Sequence, residues 1–291
     1  MSKPTIAITG ANGFLGATLV DYFADKGWQV VGLVRNPDAQ PKKKHVQYRK
    51  YDITKKLTDD ALTGVDFVVH TAYIKYSRQQ PDAMAINIAG AKNLLAASRH
   101  AKIKKNVFIS SMSAHEQAES VYGKQKLAIE KLFDRKNDIS LRCGLIIGNG
   151  GIVKQMVDFM RSKHAIPLIG GGKQPLQSVS VADLCLAVEH SLESNIHGVL
   201  TIANPEVFTY REFYEAIARA FNIRVVFIPI PLSALLGLAL TIETLRLPVG
   251  FGKDNVLGLK QLKSTDNKED LKKLGLKLEP LHDALRHSGL Q

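Results

Sequence analysis

The sequence predicts a doubly wound parallel α/β sheet followed by a smaller, mostly helical lobe. Three observations predict it. Short apolar runs alternate with helical patterns through the first half. A glycine triplet stands directly after the first apolar run. The rhythm changes after Gly148, where glycine- and proline-containing stretches appear and helical patterns dominate. Strands that alternate with helices pair in parallel through right-handed crossovers.

The elements follow in order. Thr5 to Thr9 reads as a strand, Phe14 to Asp25 as a helix and Gln29 to Val34 as the second strand. His45 to Lys50 reads as the third strand and Asp66 to Thr71 as the fourth. A long helix is expected from Asp82 to His100, because Met84, Ile88, Ala91, Leu94 and Leu95 recur at helical spacing. Asn106 to Ser111 is the fifth strand, Val121 to Phe133 a helix, and Ile139 to Ile147 the sixth strand. Beyond Gly148, helices are expected over Arg211 to Phe221 and Ser264 to Leu274. Residues 1–148 are expected to form one unit and residues 149–291 a smaller lobe interleaved with the end of the sheet.

Composition narrows the function. Of the 291 residues 45% are hydrophobic and 23% charged, the balance of a globular chain with an ample core. No secretory signal is read at the start, and two cysteines, Cys143 and Cys185, make no disulfide framework, so the expected location is cytoplasmic. The net charge is +12, but the lysines fall in scattered clusters with no interleaved aromatics, which argues against nucleic-acid binding. Val225 to Ile242 carries no charge, yet Pro229 and Pro231 break it into a short β-like run and a short apolar helix, so membrane contact is not expected. The nine histidines show no metal-ligand spacing, and His70 reads as a packed core residue.

The glycine loop carries the first chemistry. Residues 9–16 read Thr-Gly-Ala-Asn-Gly-Phe-Leu-Gly, between a strand and a helix. Gly10, Gly13 and Gly16 let the backbone turn tightly, approach a pyrophosphate and pack helix against strand. The helix start offers N–H groups and a positive dipole end to an anion. A Rossmann-type dinucleotide site is therefore expected, with Gly10, Asn12, Gly13, Phe14, Leu15 and Gly16 at the cofactor. The second strand ends at Arg35, 19 residues after Gly16. An acidic residue there would select NAD, whereas an arginine can pair with the 2′-phosphate of NADP. Lys42, Lys43 and Lys44 follow in a loop that could add positive charge, so NADP is preferred over NAD.

A tyrosine four residues before a lysine puts both side chains on one helical face, where an ammonium can lower the phenol pKa. The pattern occurs at Tyr22/Lys26, Tyr51/Lys55 and Tyr122/Lys126. Only the last begins a helix after the fifth strand, whose end is Ser110-Ser111. The C-terminal end of a parallel strand faces the cofactor crevice.

Taken together, the glycine loop, Tyr51-Asp52-Ile53-Thr54, Val69-His70-Thr71-Ala72, Asn87 with Gly90, Phe108-Ile109-Ser110-Ser111 and Tyr122-Gly123-Lys124-Gln125-Lys126 resemble the NAD-dependent epimerase/dehydratase family, the extended short-chain dehydrogenase/reductases. The resemblance covers roughly residues 4–148 and continues more loosely beyond. It implies that Tyr122 is the general acid/base, that Lys126 tunes it and holds the nicotinamide ribose, and that Ser111 orients the substrate oxygen. It places Asp52 and Ile53 beside the adenine, Thr71, Ala72 and Tyr73 under the pyrophosphate and ribose with Lys75 nearby, and Ser110 among the cofactor contacts. Asn87 would stabilise the crevice from the long helix. Cys143 follows Arg142 where the family usually has a proline.

The resemblance leaves the reaction open among reduction, oxidation, epimerisation and dehydration of a small molecule at a hydroxyl or carbonyl carbon. A nucleotide-sugar epimerase/dehydratase and a non-catalytic NAD(P)H-binding protein are the alternatives. Nucleotide-sugar enzymes usually carry an arginine five residues before the valine matching Val181; here it is Leu176, after Pro175. The apolar stretch Leu232 to Leu247 could line a greasy pocket or simply pack the lobe. The chain admits a homodimer without requiring one.

Overall fold

The computed structural model describes residues 3–58, 60–76, 80–231 and 253–290, with the side chains of 253–256 left aside. The main sheet among them is built from β1 (Thr5–Thr9), β2 (Gln29–Val34), β3 (Val46–Lys50), β4 (Phe67–His70), β5 (Lys105–Ser111), β6 (Ile139–Cys143) and β11 (Gly198–Ile202). These seven strands pair in the order β11-β6-β5-β4-β1-β2-β3, every pair parallel. The order reverses at β1, with β2 on one side and β4 on the other, which opens a crevice beyond the strand ends. Helices α1 (Phe14–Asp25), α2 (Ala83–His100), α3 (Val121–Glu130) and α5 (Val181–Glu193) are the crossovers. The inner strands β1, β2, β5 and β6 are buried almost throughout, as strands covered on both faces must be, while the edge strand β3 is not.

Two cores result. One lies under α1 and α5 and centres on Ile6, Ile8, Leu19, Phe23, Ile139, Leu141 and Leu184. The other fills the second lobe with Val153, Val157, Met160, Leu176, Phe213, Ile217 and Leu285. That lobe comprises α4 (Gly151–Lys163), α6 (Tyr210–Ala220), α7 (Lys253–Lys260), α9 (Leu281–Arg286) and three two-stranded pairs. The pairs join β7 (Leu145–Ile147) to β10 (Ser178–Ser180), β8 (Ala165–Ile169) to β13 (Val226–Ile230), and β9 (Pro175–Leu176) to β12 (Phe208–Thr209). A further helix, α8 (Lys268–Lys273), packs back on β11.

Three expectations change. The sixth strand divides at Gly144, whose N–H bonds Ile202 while the next N–H, of Leu145, bonds Gln177. A Cβ on residue 144 would stand 2.6 Å from the Gln177 carbonyl, so the crossing from the main sheet to the lobe needs glycine. The helix expected from Ser264 begins at Lys268, because the Thr265 N–H is taken by Gln177 Oε1 and Asn267 Nδ2 by the Thr201 and Ala203 carbonyls. The third strand starts at Val46, since His45 turns with a φ of 63°. The apolar stretch Leu232 to Leu247 lies outside the described residues. No helix among the described residues is long and apolar enough to cross a membrane.

One buried cation anchors α5. Lys105, at the start of β5, donates its Nζ to the carbonyls of Ser191, Ser194 and Ile196 at 2.8, 2.5 and 3.0 Å. The Ser191 and Ser194 carbonyls belong to the last turn and cap of α5 and Ile196 lies just beyond, so the cation also complements the helix dipole.

Candidate active site

The glycine loop joins β1 to α1. Gly10 turns with a φ of 66°, and its N–H bonds the Leu33 carbonyl of β2. Gly16 permits the contact between helix and loop, since a Cβ there would stand 2.1 Å from the Gly10 carbonyl oxygen. Gly13 is the N-cap of α1 and offers no side-chain acceptor. The first-turn N–H groups of Phe14, Leu15 and Gly16 therefore keep their donors for a ligand, at the positive end of the helix. Asn12 and Gly13 are exposed at the mouth of the turn. This backbone cradle, closed to any side chain at residue 16, fits a pyrophosphate. The Phe14 ring packs on Gly148, Gly150 and Gly151, which joins the loop to the start of α4.

Thr9 and His70 hold the loop after β4 beneath this turn. The Thr71 and Ala72 N–H groups both donate to Thr9 Oγ1 at 3.1 Å, and Thr71 Oγ1 donates to the Thr9 carbonyl at 2.6 Å. With both lone pairs engaged, the Thr9 hydroxyl donates to His70 Nδ1, 2.8 Å away, so His70 carries its proton on Nε2. His70 is packed as expected, stacked on Phe108 and Phe133, and burial followed by the charge of Lys126 lowers its pKa to about 3. Asn87 closes the same loop with two bonds to Ile74, donating to its carbonyl at 2.8 Å and accepting from its N–H at 2.9 Å. Gly90 lets Ile53 lie against α2, where a Cβ would stand 2.3 Å from the isoleucine side chain.

At the outer edge, Arg35 is exposed just beyond β2. Asp52 accepts from the N–H and hydroxyl of Thr54, which, with Lys55 and Arg35 nearby, hold its carboxyl below the usual range. Lys43 does not join Arg35: it forms an ion pair with Asp21, two turns along α1 from the glycine loop, and so leads away from the crevice. Lys75 is exposed beyond the Tyr73 loop.

Ser111, Tyr122 and Lys126 come together at the end of β5. The Tyr122 phenol faces the Ser111 side chain. Ser111 Oγ also accepts from the Ser113 N–H at 3.2 Å. Ser120 caps α3 by accepting from the Gly123 N–H, and Gly123 lets the helix lie against the Ser113 carbonyl. Lys126 is buried and donates to the Ile109 carbonyl at 2.8 Å. The expected electrostatics change here. Burial pushes the Tyr122 phenol up, and Ser111 opposes it; the Lys126 ammonium is turned to Ile109. Burial also brings Lys126 down to about 8.

The other two tyrosine–lysine pairs are engaged elsewhere or apart. Tyr22 donates to Glu189 Oε2 at 2.5 Å and Lys26 pairs with the same carboxylate, which ties α1 to α5. Tyr51 is buried in the core beneath α2, and its hydroxyl has no partner among the described residues. Ser110 is also turned from the crevice, donating to Glu130 at 2.5 Å. Glu130 receives Arg142 in three further bonds, Nη2 to Oε2 at 2.7 Å and Nε to Oε1 and Oε2 at 2.9 and 3.1 Å. The sequence did carry a signal for Glu130, which stands four residues after Lys126 on the same helical stripe, but none for its pairing with Arg142. Neither Thr9 nor Gln261 was singled out from the sequence. The Gln261 side chain accepts from the Glu119 N–H and donates to the Gln117 carbonyl, bracing the loop before α3.

Among the described residues no cluster of histidine, cysteine or acidic side chains could hold a metal. The NAD dependent epimerase/dehydratase family model matches residues 6–203. A 3 beta-hydroxysteroid dehydrogenase/Delta 5-->4-isomerase of Mycobacterium tuberculosis is 27% identical over 182 residues, 59% of this chain and 49% of that protein. The chain spans only part of the curated relatives it matches, 23% in the case of the uncharacterised Mycobacterium tuberculosis protein Rv2047c. Among solved structures, UDP-glucose 4-epimerase from Thermotoga maritima, crystallised with UDP-glucose, has a TM-score of 0.77 at 19% identity, over 98% of this chain and 97% of that one. The human epimerase family protein SDR39U1, solved with NADPH, has a TM-score of 0.76 at 19% identity, over 98% of both chains. Matched over more than half its length by the family model, the chain belongs to the NAD-dependent epimerase/dehydratase family.

Proposed function

We propose that this protein is an NAD(P)-dependent enzyme of the extended short-chain dehydrogenase/reductase type, acting at a hydroxyl or carbonyl carbon of a small molecule. The observation that carries the reading is the Tyr122 phenol facing Ser111, with Lys126 one helical turn on, at the end of β5. When bound, the nicotinamide supplies or accepts a hydride. The loop of Gly10, Asn12, Gly13, Phe14, Leu15 and Gly16 would hold the pyrophosphate, Asp52 and Ile53 the adenine, and Thr71, Ala72, Tyr73, Lys75 and Asn87 the span beneath the riboses. Ser110 enters this set only through its backbone. Ser111 orients the substrate oxygen and Tyr122 gives it a proton. The raised phenol is protonated near neutral pH, the form needed to reduce a carbonyl. The test is whether bound nicotinamide changes redox state on meeting a panel of carbonyls and alcohols.

The preferred cofactor in this reading is NADP(H), because Arg35 stands exposed at the end of β2 where an acidic residue would select NAD. A 2′-phosphate paired with a guanidinium is worth roughly 1.5–3 kcal/mol. Titration should show NADPH binding tighter than NADH, and Arg35→Ala should shrink the gap. Equal affinities in the unsubstituted protein would remove the NADP preference.

A nucleotide-diphosphate sugar is not the preferred substrate. Leu176 occupies the position of the expected arginine, is 5% exposed and packs in the lobe core. An unpaired diphosphate in a partly dry pocket costs several kcal/mol. Arg211 is already engaged with Glu215 and stacked over Phe227. Arg246 lies outside the described residues, as does the side chain of Lys253. Calorimetry of the cofactor-loaded protein should show binding of apolar ketones or alcohols in preference to UDP, TDP, GDP and their sugars. Micromolar binding of a nucleotide sugar, weakened by mutating Arg211, Arg246 or Lys253, would restore the epimerase/dehydratase reading.

A further inference from the structure

Three aromatic rings close around the buried ammonium of Lys126. Its Nζ lies 4.8 Å from the ring centroid of Phe108, 5.4 Å from that of Tyr73 and 5.8 Å from that of Tyr122. The Ile109 carbonyl accepts from it. An ammonium has three donors, so a single carbonyl replaces little of its hydration. Ring faces within about 6 Å supply favourable electrostatics in its place. Phe108 belongs to β5 and Tyr122 to α3, but Tyr73 comes from the loop after β4. The Tyr73 ring also meets the Tyr122 ring edge-on, with centroids 5.6 Å apart and planes at 86°. That is the favoured geometry for two aromatic quadrupoles. The Asn87 clamp on Ile74 fixes the backbone beside it.

We infer that Tyr73 is a positioning residue for the Tyr122–Lys126 pair: its ring holds the phenol at Ser111 and keeps Lys126 an ammonium inside the protein. The inference rests on reading those two residues as the acid/base pair. Other groups also face Lys126. Tyr122 and Glu130 do so from α3, Cys143 from β6, His70 from β4 and the Ile109 carbonyl from β5. Glu130 favours the charge but is shared with Arg142. Cys143 favours it weakly, since its own thiol is pushed up to about 12 by burial. His70 is neutral in this range. With Lys126 titrating near 8, the ring contribution decides its charge close to neutral pH.

The experiment follows the Lys126 side chain by NMR against pH, in the full chain carrying lysine isotope-labelled at Cε, with Lys126→Arg for assignment. Tyr73→Leu keeps an apolar cover and loses the ring, so the Lys126 midpoint should fall by about half to one and a half pH units. Tyr73→Met is the second such variant and should do the same. Tyr73→Phe keeps the ring and should keep the midpoint. An unchanged midpoint in both the leucine and methionine variants overturns the inference, as does an equal fall in the phenylalanine variant. The midpoint is read without substrate or cofactor. An unsubstituted protein that turns nothing over therefore contradicts the enzymatic reading, while the midpoint still decides the part played by the ring.

Discussion

Tyr122→Phe is expected to lower turnover by about a hundred- to ten-thousandfold while leaving cofactor affinity nearly intact, since a positioned acid/base contributes that much. The variant loses only the hydroxyl that faces Ser111. The ring stays, and so do its edge-on contact with Tyr73 and its place beside Lys126. Steady-state kinetics on a verified substrate, with a cofactor titration, separate the two effects. Tyr22→Phe and Tyr51→Phe are internal controls: the first removes a bond to Glu189, the second a buried hydroxyl without a partner among the described residues. Neither should affect turnover as Tyr122→Phe does. Near-normal turnover in Tyr122→Phe would mean that another group supplies the proton.

Gly16→Val should have the second large effect, and it acts on binding. Its Cβ would stand 2.1 Å from the Gly10 oxygen and 2.7 Å from the Gly10 carbonyl carbon, both backbone atoms that cannot rotate away. The helix must retreat from the loop, at a cost of about 1–3 kcal/mol in stability. Its first-turn N–H groups move with it. Loss of even one charge-assisted phosphate contact, about 1.5–3 kcal/mol, weakens the cofactor about ten- to a hundredfold. Gly13→Ala is the graded comparison, because its Cβ would meet only the Gly10 oxygen, at 3.2 Å, and its φ of −82° suits any residue. Urea unfolding and NADPH titration read both. Wild-type affinity in Gly16→Val would show that the cradle at α1 does not hold the cofactor.

Much of the first half was legible because local signals were sufficient there. Thr5–Thr9, Phe14–Asp25 and Gln29–Val34 have the bounds that the sequence suggests, since apolar period and glycine agree at each end. The break at Gly144 was not legible. Ile139 to Ile147 reads as one apolar run, and its division depends on Ile202 and Gln177, both distant in sequence. The start of α8 depends likewise on Gln177 and Thr201. Strand β11 was not singled out at all, although it completes the main sheet. In the candidate site, chain order alone separated Tyr122 from Tyr22 and Tyr51. The Tyr22–Lys26–Glu189 cluster explains the first pair, but Glu189 stands 163 residues from Lys26 and no local pattern reveals it. The same holds for Lys43, whose run of charge suggested phosphate and whose partner is Asp21. The phenol pKa was read from the spacing of Tyr122 and Lys126, whereas burial sets its direction.

The most direct test of the central claim is a single-turnover measurement of nicotinamide absorbance in the cofactor-loaded protein, mixed with the panel of carbonyls and alcohols. At least one compound should change the redox state of bound nicotinamide in the unsubstituted protein, and Tyr122→Phe should slow that change by at least about a hundredfold. Nicotinamide that binds tightly and keeps its redox state with every compound would contradict the account and leave a cofactor-binding protein without catalysis.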